Sequence, residues 1–386
     1  MLPKKRVAFF TENLYGGGVE RILQTVLRYF NYDKFDVTLF SNRREAIDYS
    51  LFPSFLKYHY IFDSIVDSGN YLDTFLKKIR NKIKLAVYYS TSPRFYYRLF
   101  IRRRYDVGIA FIEGYATRIL SGAPSSMKKI AWVHTDLINN PWTRVAFKNS
   151  VEEREVYLAF DKIVCVSENV KQVMLKSYFS SGRELIIHNP IDRAKILDLA
   201  YYPLPKEYEK KNQIRIVTIG SLIPIKGYKR LISVFQDLCG CFTGLELIII
   251  GQGVLKEELV QQVREAYLDG SVRFTGFLTN PYPILRSADI YICSSFAEGY
   301  NTAITEALIL GRPIVSTDCS GVREQLGNSE YGIVVNNDTM ALSQGLSSLV
   351  KDSGLRQHYA LKASERGKMF KVENSILEIE SLINSV

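Results

Sequence analysis

Short runs rich in β-branched and aromatic residues alternate with longer runs of helical period from one end of the chain to the other. In the first half, Val7–Thr11, Phe35–Phe40, Asp106–Phe111, Ile130–Val133 and Lys162–Val166 predict strands. After the first strand, Val19, Ile22, Leu23, Val26, Leu27 and Phe30 recur at the spacing that puts them on one helix face. The segment 201–212 breaks the pattern with two prolines and a charge run, and predicts a linker. Alternation then restarts: Ile214–Ile219 predicts a strand, 227–238 a helix, Glu246–Ile250 a strand followed by Gly251-Gln-Gly253. Strand–helix alternation of this kind builds parallel sheets covered by helices. The expected fold class is therefore α/β, with two doubly wound Rossmann-like domains, residues 1–195 and 213–369, facing across a cleft. A C-terminal helix within 370–386 is expected to rejoin the first domain.

The chain has 386 residues, 47% of them hydrophobic and 23% charged, enough for two cores. No stretch of 18 or more uncharged apolar residues occurs, and the start Met-Leu-Pro-Lys-Lys-Arg runs directly into a strand. Neither a signal peptide nor a membrane span is expected, which suggests a cytoplasmic protein. Five cysteines lack a Cys-x-x-Cys pair and four histidines lack ligand spacing, so reduced buried thiols and no metal site are expected. The net charge of +10 is uneven: residues 1–150 carry +12 and residues 151–386 carry −2. That asymmetry points the first half toward an anionic surface.

In doubly wound sheets, ligands bind where the carboxyl ends of strands meet helix N-termini, whose free amides favour phosphate. Three glycine-bearing loops fall there. The first spans Tyr15–Arg21 and includes Gly16, Gly17 and Gly18. A dinucleotide fingerprint starting at Gly16 would need glycine where Arg21 stands, and the second strand ends without a carboxylate for a ribose. A tight turn and a ligand loop remain equally compatible with it. The second loop, Gly220–Gly227, sets Lys226 before a helix, where an ammonium can neutralise a diphosphate, although most lysines are merely solvated. The third loop carries the most information. Strand 289–294 leads to Glu298-Gly299-Tyr300-Asn301-Thr302, then to a mostly apolar helix holding Glu306. Asn301 or Thr302 can cap that helix, leaving amides near 299–302 for phosphate or sugar oxygens. Two acids so placed can grip hydroxyls at the two ends of a nucleotide-sugar.

Together with Trp132-Val-His134-Thr-Asp136, Val166-Ser-Glu168, Asn189-Pro-Ile-Asp192, Phe274-Thr-Gly-Phe-Leu278 and Gly321-Val-Arg-Glu324, these loops resemble the retaining glycosyltransferases of family 4. This family has two Rossmann domains (GT-B architecture) and includes bacterial capsule and lipopolysaccharide enzymes. The resemblance spans nearly the whole chain. It implies a metal-independent hexosyltransferase, without cofactor, moving a hexose or N-acetylhexosamine from a nucleotide-sugar, UDP favoured, to a saccharide or lipid-linked acceptor.

By resemblance, Glu306 bonds the donor ribose and Glu298 the transferred sugar. The amides of Gly299, Tyr300, Asn301 and Thr302 hold sugar and phosphate, while Gly16, Gly17, Gly18 and Lys226 meet the diphosphate. Phe277 and Leu278 border the base, and His134 faces the transferred sugar near the acceptor. Glu298, His134 and Lys226 are the implied catalytic residues. The chain departs from the family at Ser221, where an arginine usually assists the lysine. Weaker stabilisation of the leaving group and compensation by Lys229 or Arg230 are both compatible with that change. A nucleotide-sugar epimerase or a non-catalytic sugar-nucleotide-binding protein are the alternatives.

Residues 76–105 hold ten Lys or Arg, seven aromatics and no acid. Cations interleaved with aromatics suit an interfacial helix on an anionic membrane, on the inner face; the plainer alternative is a helix pair capping the first domain. No nucleic-acid-binding motif accompanies the charge.

Overall fold

A computed structural model describes residues 3–63, 71–101, 103–178, 182–209 and 211–386, and divides the chain into two compact units. The first comprises Met1–Pro190 and Glu373–Val386, the second Ile191–Val372.

In the first unit the strands are β1 (Lys5–Thr11), β2 (Phe35–Arg43), β3 (Lys57–Phe62), β4 (Val107–Ala110), β5 (Lys128–Val133), β6 (Lys162–Cys165) and β7 (Glu184–Ile186). They form one sheet in the order β3-β2-β1-β4-β5-β6-β7, every pair parallel. Its helices are α1 (Gly18–Tyr29), α2 (Tyr71–Ser90), α3 (Pro93–Phe100), α4 (Tyr115–Ser121), α5 (Ser150–Leu158) and α6 (Glu168–Tyr178). The apolar stripe predicted for α1 is its packed face: Ile22, Leu23, Val26 and Leu27 are all buried, each contributing about 1.5–3 kcal/mol of transfer free energy. Phe9 of β1 meets Phe30 edge-on at 5.6 Å and Phe111 at 6.1 Å, so strand order is read out as aromatic packing.

In the second unit, β8 (Ile214–Ile219), β9 (Leu245–Ile250), β10 (Val272–Gly276), β11 (Ile290–Cys293), β12 (Ile314–Thr317) and β13 (Ile333–Val335) form a second parallel sheet, order β10-β9-β8-β11-β12-β13. The helices are α7 (Arg193–Ala200), α8 (Tyr228–Cys241), α9 (Lys256–Glu265), α10 (Tyr282–Ser287), α11 (Thr302–Ile309), α12 (Val322–Leu326), α13 (Thr339–Lys351) and α14 (Ser353–Gly367). Because both faces are covered, its central strands are continuously apolar; β9, Leu-Glu-Leu-Ile-Ile-Ile, is buried at all six positions. The one acid in that run, Glu246, is neutralised by the wholly buried Arg215 at 2.8 Å.

The last helix, α15 (Val372–Ser385), lies almost wholly in the first unit. Lys5 Nζ donates to the Ile383 carbonyl at 2.6 Å, and the Asn31 amide donates to buried Glu380 at 2.9 Å.

Two local expectations change. The segment 201–212 falls inside the second unit, since α7 packs on α10 and α11 and carries the chain into that unit from Ile191 onward. The stretch 76–105 is not one interfacial helix. It runs through α2 and α3, and Tyr88, Tyr96, Tyr97 and Tyr105 are core residues, so over half of its aromatics serve packing. Arg102 lies outside the described residues.

Candidate active site

Each sheet reverses its strand order once, and a doubly wound sheet opens a crevice at that reversal, beyond the carboxyl ends of the two strands. In the second unit the reversal lies between β8 and β11. Those strands lead into the Gly220–Gly227 loop and the Ser294–Thr302 loop, which bring Lys226 and Glu298 together. Lys226 Nζ donates to both Glu298 carboxylate oxygens, at 2.7 and 2.8 Å, with the glutamate side chain only 9% exposed. Burial alone would lower the Lys226 pKa; the Glu298 carboxylate outweighs it, and the net direction is up. Ser295 Oγ (2.5 Å) and Asn301 Nδ2 (3.1 Å) also donate to Glu298 Oε1.

Asn301 is the residue that caps α11: its side-chain oxygen accepts from the Ala303 and Ile304 amides at 3.0 and 3.4 Å. Glu306, one turn into α11, is 5% exposed and accepts from the Tyr282 hydroxyl at 3.1 Å. Gly299 and Tyr300 are buried, Thr302 half-buried and Ser221 exposed. Phe277 and Leu278 follow β10 on the same side of the sheet, Phe277 being 45% exposed.

Several further residues build this crevice. Gly227 adopts φ +68, and a Cβ there would collide with the Ser294 carbonyl, so the turn after Lys226 requires glycine. Arg230 is 9% exposed and donates to the Ser294 and Ser295 carbonyls and to Asn337 while lying 3.9 Å over the Phe296 ring. Gln325, wholly buried, donates to the Asn301 carbonyl and to Thr305 Oγ1. These groups stiffen the Ser294–Thr302 loop. Of the two cations that could compensate for Ser221, Arg230 donates to backbone carbonyls, and Lys229 pairs at the surface with Glu258, both over half exposed.

The first unit reverses between β1 and β4. Beyond β1 come Glu12 and the Gly16–Gly18 loop. Gly16 adopts φ +108, and Gly17 is the N-cap of α1, with Glu20 accepting from its amide. Beyond β4 come Glu113 and Gly114. Glu12 Oε1 accepts from the Tyr115 amide at 3.2 Å, and burial, with Glu113 and Glu20 nearby, pushes its pKa up to about 7. Glu113 is fully buried, and burial raises its pKa despite the donors it gathers. His134, at the end of β5, is 7% exposed; its Nε2 contacts the Phe111 carbonyl at 2.9 Å, and burial lowers its pKa to about 3. Glu12 and Glu113 were not singled out by sequence patterns, although Glu12 immediately follows an apolar strand and Glu113 comes three residues after one and precedes a glycine, which is the available signal.

Among the described residues, no group of three or more His, Cys, Asp or Glu could hold a metal ion, and no helix is long and apolar enough to cross a membrane.

The second crevice lies in a region of known type: residues 204–366 match the model described as glycosyl transferases group 1. The chain is 30% identical over 230 residues to the Campylobacter jejuni N-acetylgalactosamine-N,N'-diacetylbacillosaminyl-diphospho-undecaprenol 4-alpha-N-acetylgalactosaminyltransferase, a match covering 58% of this chain and 61% of that relative. An uncharacterized glycosyltransferase of Methanocaldococcus jannaschii is 25% identical, covering 74% of this chain and 79% of the relative. In fold, the chain resembles Anabaena HepE, solved in complex with UDP-glucose, with TM-score 0.74 at 17% identity, covering 99% of this chain and all of that one. The matched region contains the Lys226–Glu298 pair, the capped α11 and Glu306, whereas His134 and the Gly16–Gly18 loop lie outside it.

Proposed function

We propose that the protein is a retaining glycosyltransferase that moves a hexose or N-acetylhexosamine from a UDP-sugar to a saccharide, lipid-linked acceptor in surface polysaccharide synthesis. The observation that carries this reading is the Lys226–Glu298 pair at the β8/β11 reversal, beside the capped N-terminus of α11, within the matched region. A diphosphate entering this crevice meets an ammonium and helix amides, while Glu298 is released to accept from sugar hydroxyls. Glu306 accepts from the ribose, Phe277 and Leu278 flank the base, and Ser221 offers a neutral hydroxyl to the phosphate.

In the proposed step, the bond from the anomeric carbon to the diphosphate breaks and a bond to the acceptor oxygen forms on the same face. The acceptor proton passes to the departing diphosphate, and Lys226 offsets the charge that develops there. The diphospho-undecaprenol in the name of the Campylobacter relative, and the UDP-glucose in the Anabaena complex, support the acceptor and donor classes.

The test is transfer and hydrolysis with UDP-glucose, UDP-galactose, UDP-N-acetylglucosamine and UDP-N-acetylgalactosamine, with the anomeric configuration of the product read by NMR. Turnover of one donor with retained configuration is expected. Conversion of one UDP-sugar into its epimer, or binding without turnover across all donors and acceptors, overturns the reading.

The membrane part of the proposal rests on α2 and α3. Leu76, Ile79, Ile83, Phe95 and Leu99 are exposed among exposed Lys78, Arg80, Lys82, Arg94 and Arg98. Each basic residue near an anionic surface contributes about 1 kcal/mol, screened by salt. Co-flotation with phosphatidylglycerol vesicles at low salt, lost on Ile79→Glu with Ile83→Glu, is expected; no flotation of the wild-type protein removes the membrane from the account.

A further inference from the structure

The crevice of the first unit contains a buried histidine whose two ring nitrogens stand in different situations. His134 Nε2 lies 2.9 Å from the Phe111 carbonyl, and a carbonyl only accepts, so Nε2 carries the hydrogen. Nδ1 is then a lone-pair acceptor. It is buried and meets no hydrogen-bond partner among the described residues, on a side chain more than nine-tenths buried. An unmatched buried acceptor is costly to the folded protein, and such an atom is explained where a ligand supplies the donor.

The placement of this ring is held from a second point. The Glu113 carboxylate, 0% exposed, accepts from the His134 backbone amide at 3.0 Å through Oε2. Through Oε1 it accepts from Trp142 Nε1 at 3.4 Å, and the Thr135 hydroxyl donates to it as well. Thus Phe111 and Glu113, just beyond β4, hold the imidazole and the backbone of the residue that follows β5. Gly114 makes the approach possible: it adopts φ +92, and a Cβ there would stand 3.1 Å from Glu12 Oε1 and 3.4 Å from the Trp142 ring.

We propose that Glu113 is a positioning residue of the acceptor-side crevice: with the Phe111 carbonyl it fixes His134 so that Nδ1 is a permanent hydrogen-bond acceptor for a saccharide hydroxyl. His134 then recognises a hydroxyl and neither donates a proton nor bears charge during transfer. Its depressed pKa, near 3, accords with this. The inference rests on the proposed glycosyl transfer, and the experiment separates the two.

The protein has four histidines, at 59, 134, 188 and 358, so selective ¹⁵N-histidine labelling resolves each ring, with His134→Asn assigning its own signal. The wild-type His134 ring is expected as the Nε2–H neutral tautomer throughout about pH 5.5–8, where an ordinary histidine titrates. A His134 ring that titrates in this range, or that carries its hydrogen on Nδ1, overturns the inference while leaving the transferase reading intact. Failure of the wild-type protein to transfer any sugar overturns the transferase reading first.

Kinetics supply the second arm. Asparagine places its carbonyl oxygen near the position of Nδ1, whereas glutamine extends to that of Nε2. His134→Asn should retain kcat/KM within about tenfold of wild type, and His134→Gln should lose about 100-fold or more, the cost of an absent hydroxyl partner. Equal losses in both contradict the assignment. Glu113→Gln leaves one acceptor oxygen for three donors. It should lower kcat about 10- to 100-fold with UDP affinity unchanged within about twofold, a split that general loosening would not produce. Wild-type kcat in Glu113→Gln, or a fall in UDP affinity that accounts for the whole loss, overturns the role of Glu113.

Discussion

At the β8/β11 reversal a lysine and a glutamate neutralise each other at 2.7 Å; at the β1/β4 reversal two glutamates, Glu12 and Glu113, stand near one another with Arg43 as a weaker counter-charge. The two crevices are built alike by topology and oppositely by charge. An opposite-charge pair can exchange its internal partner for an external anion at modest cost, because the lysine is never left bare. A pair of buried carboxylates repels an anion and, with one of them near neutral pH in its titration, accepts from hydroxyls instead. Under the proposed function, the second unit is thus suited to a diphosphate and the first to a neutral sugar.

The largest expected effect breaks the pair. Glu298→Ala removes the acceptor for both Lys226 and the sugar, and should lower turnover by roughly 10²–10⁴ at temperatures where the variant is still folded, with the melting temperature falling as well because Lys226 loses its partner, as read by transfer assay and calorimetry. Near-wild-type turnover would dissolve the contrast between the crevices.

Next is the scaffold. Arg230→Met strips the Ser294 and Ser295 carbonyls of their donors and should destabilise the protein by about 2–4 kcal/mol in chemical unfolding. A loss under about 0.5 kcal/mol would mean that the Ser294–Thr302 loop does not depend on it.

Legibility in the sequence divides along the same line. The strongest signals lay in the second unit, where phosphate-type chemistry recurs as short motifs: a lysine after a glycine loop, acids about a capped helix. The Asn301 cap and the apolar face of α1 were both readable, since each depends on local spacing. The first crevice was not readable in this way. Glu113 acts on His134 and Trp142 from 21 and 29 residues away, and an isolated glutamate gives no hint of such partners. Likewise β3 is half polar because it sits at the sheet edge, and so lacks the apolar run that marked its neighbours. The aromatics of 76–105 misled for the reverse reason: composition cannot tell a tyrosine that packs, such as Tyr88, from an apolar residue at the surface, such as Phe95.

A smaller effect sharpens the charge contrast. The Glu12 pKa is raised from 4.5 to about 7, so the folded state binds more protons than the unfolded state between these values. Stability contributed by this group is present below about pH 4.5 and lost as pH rises to about 7, on the order of 3 kcal/mol. Glu12→Gln should therefore flatten the fall in unfolding free energy between about pH 5 and 8, measured in urea at each pH. An unchanged pH dependence would place the Glu12 carboxylate in water.

The smallest effect is a control. Lys229→Ala should change stability by less than about 0.5 kcal/mol and turnover by less than about twofold, since its partner Glu258 is equally exposed. A large loss would return Lys229 to the phosphate site.

The central claim, that the crevice between β8 and β11 receives the nucleotide diphosphate through Lys226, is tested most directly by calorimetric titration of UDP into the wild-type protein and Lys226→Ala. The account predicts one site per chain in the wild type and affinity weaker by about 30-fold or more in the variant, the loss of a charge-assisted contact to phosphate. Equal affinity in the two proteins would contradict it.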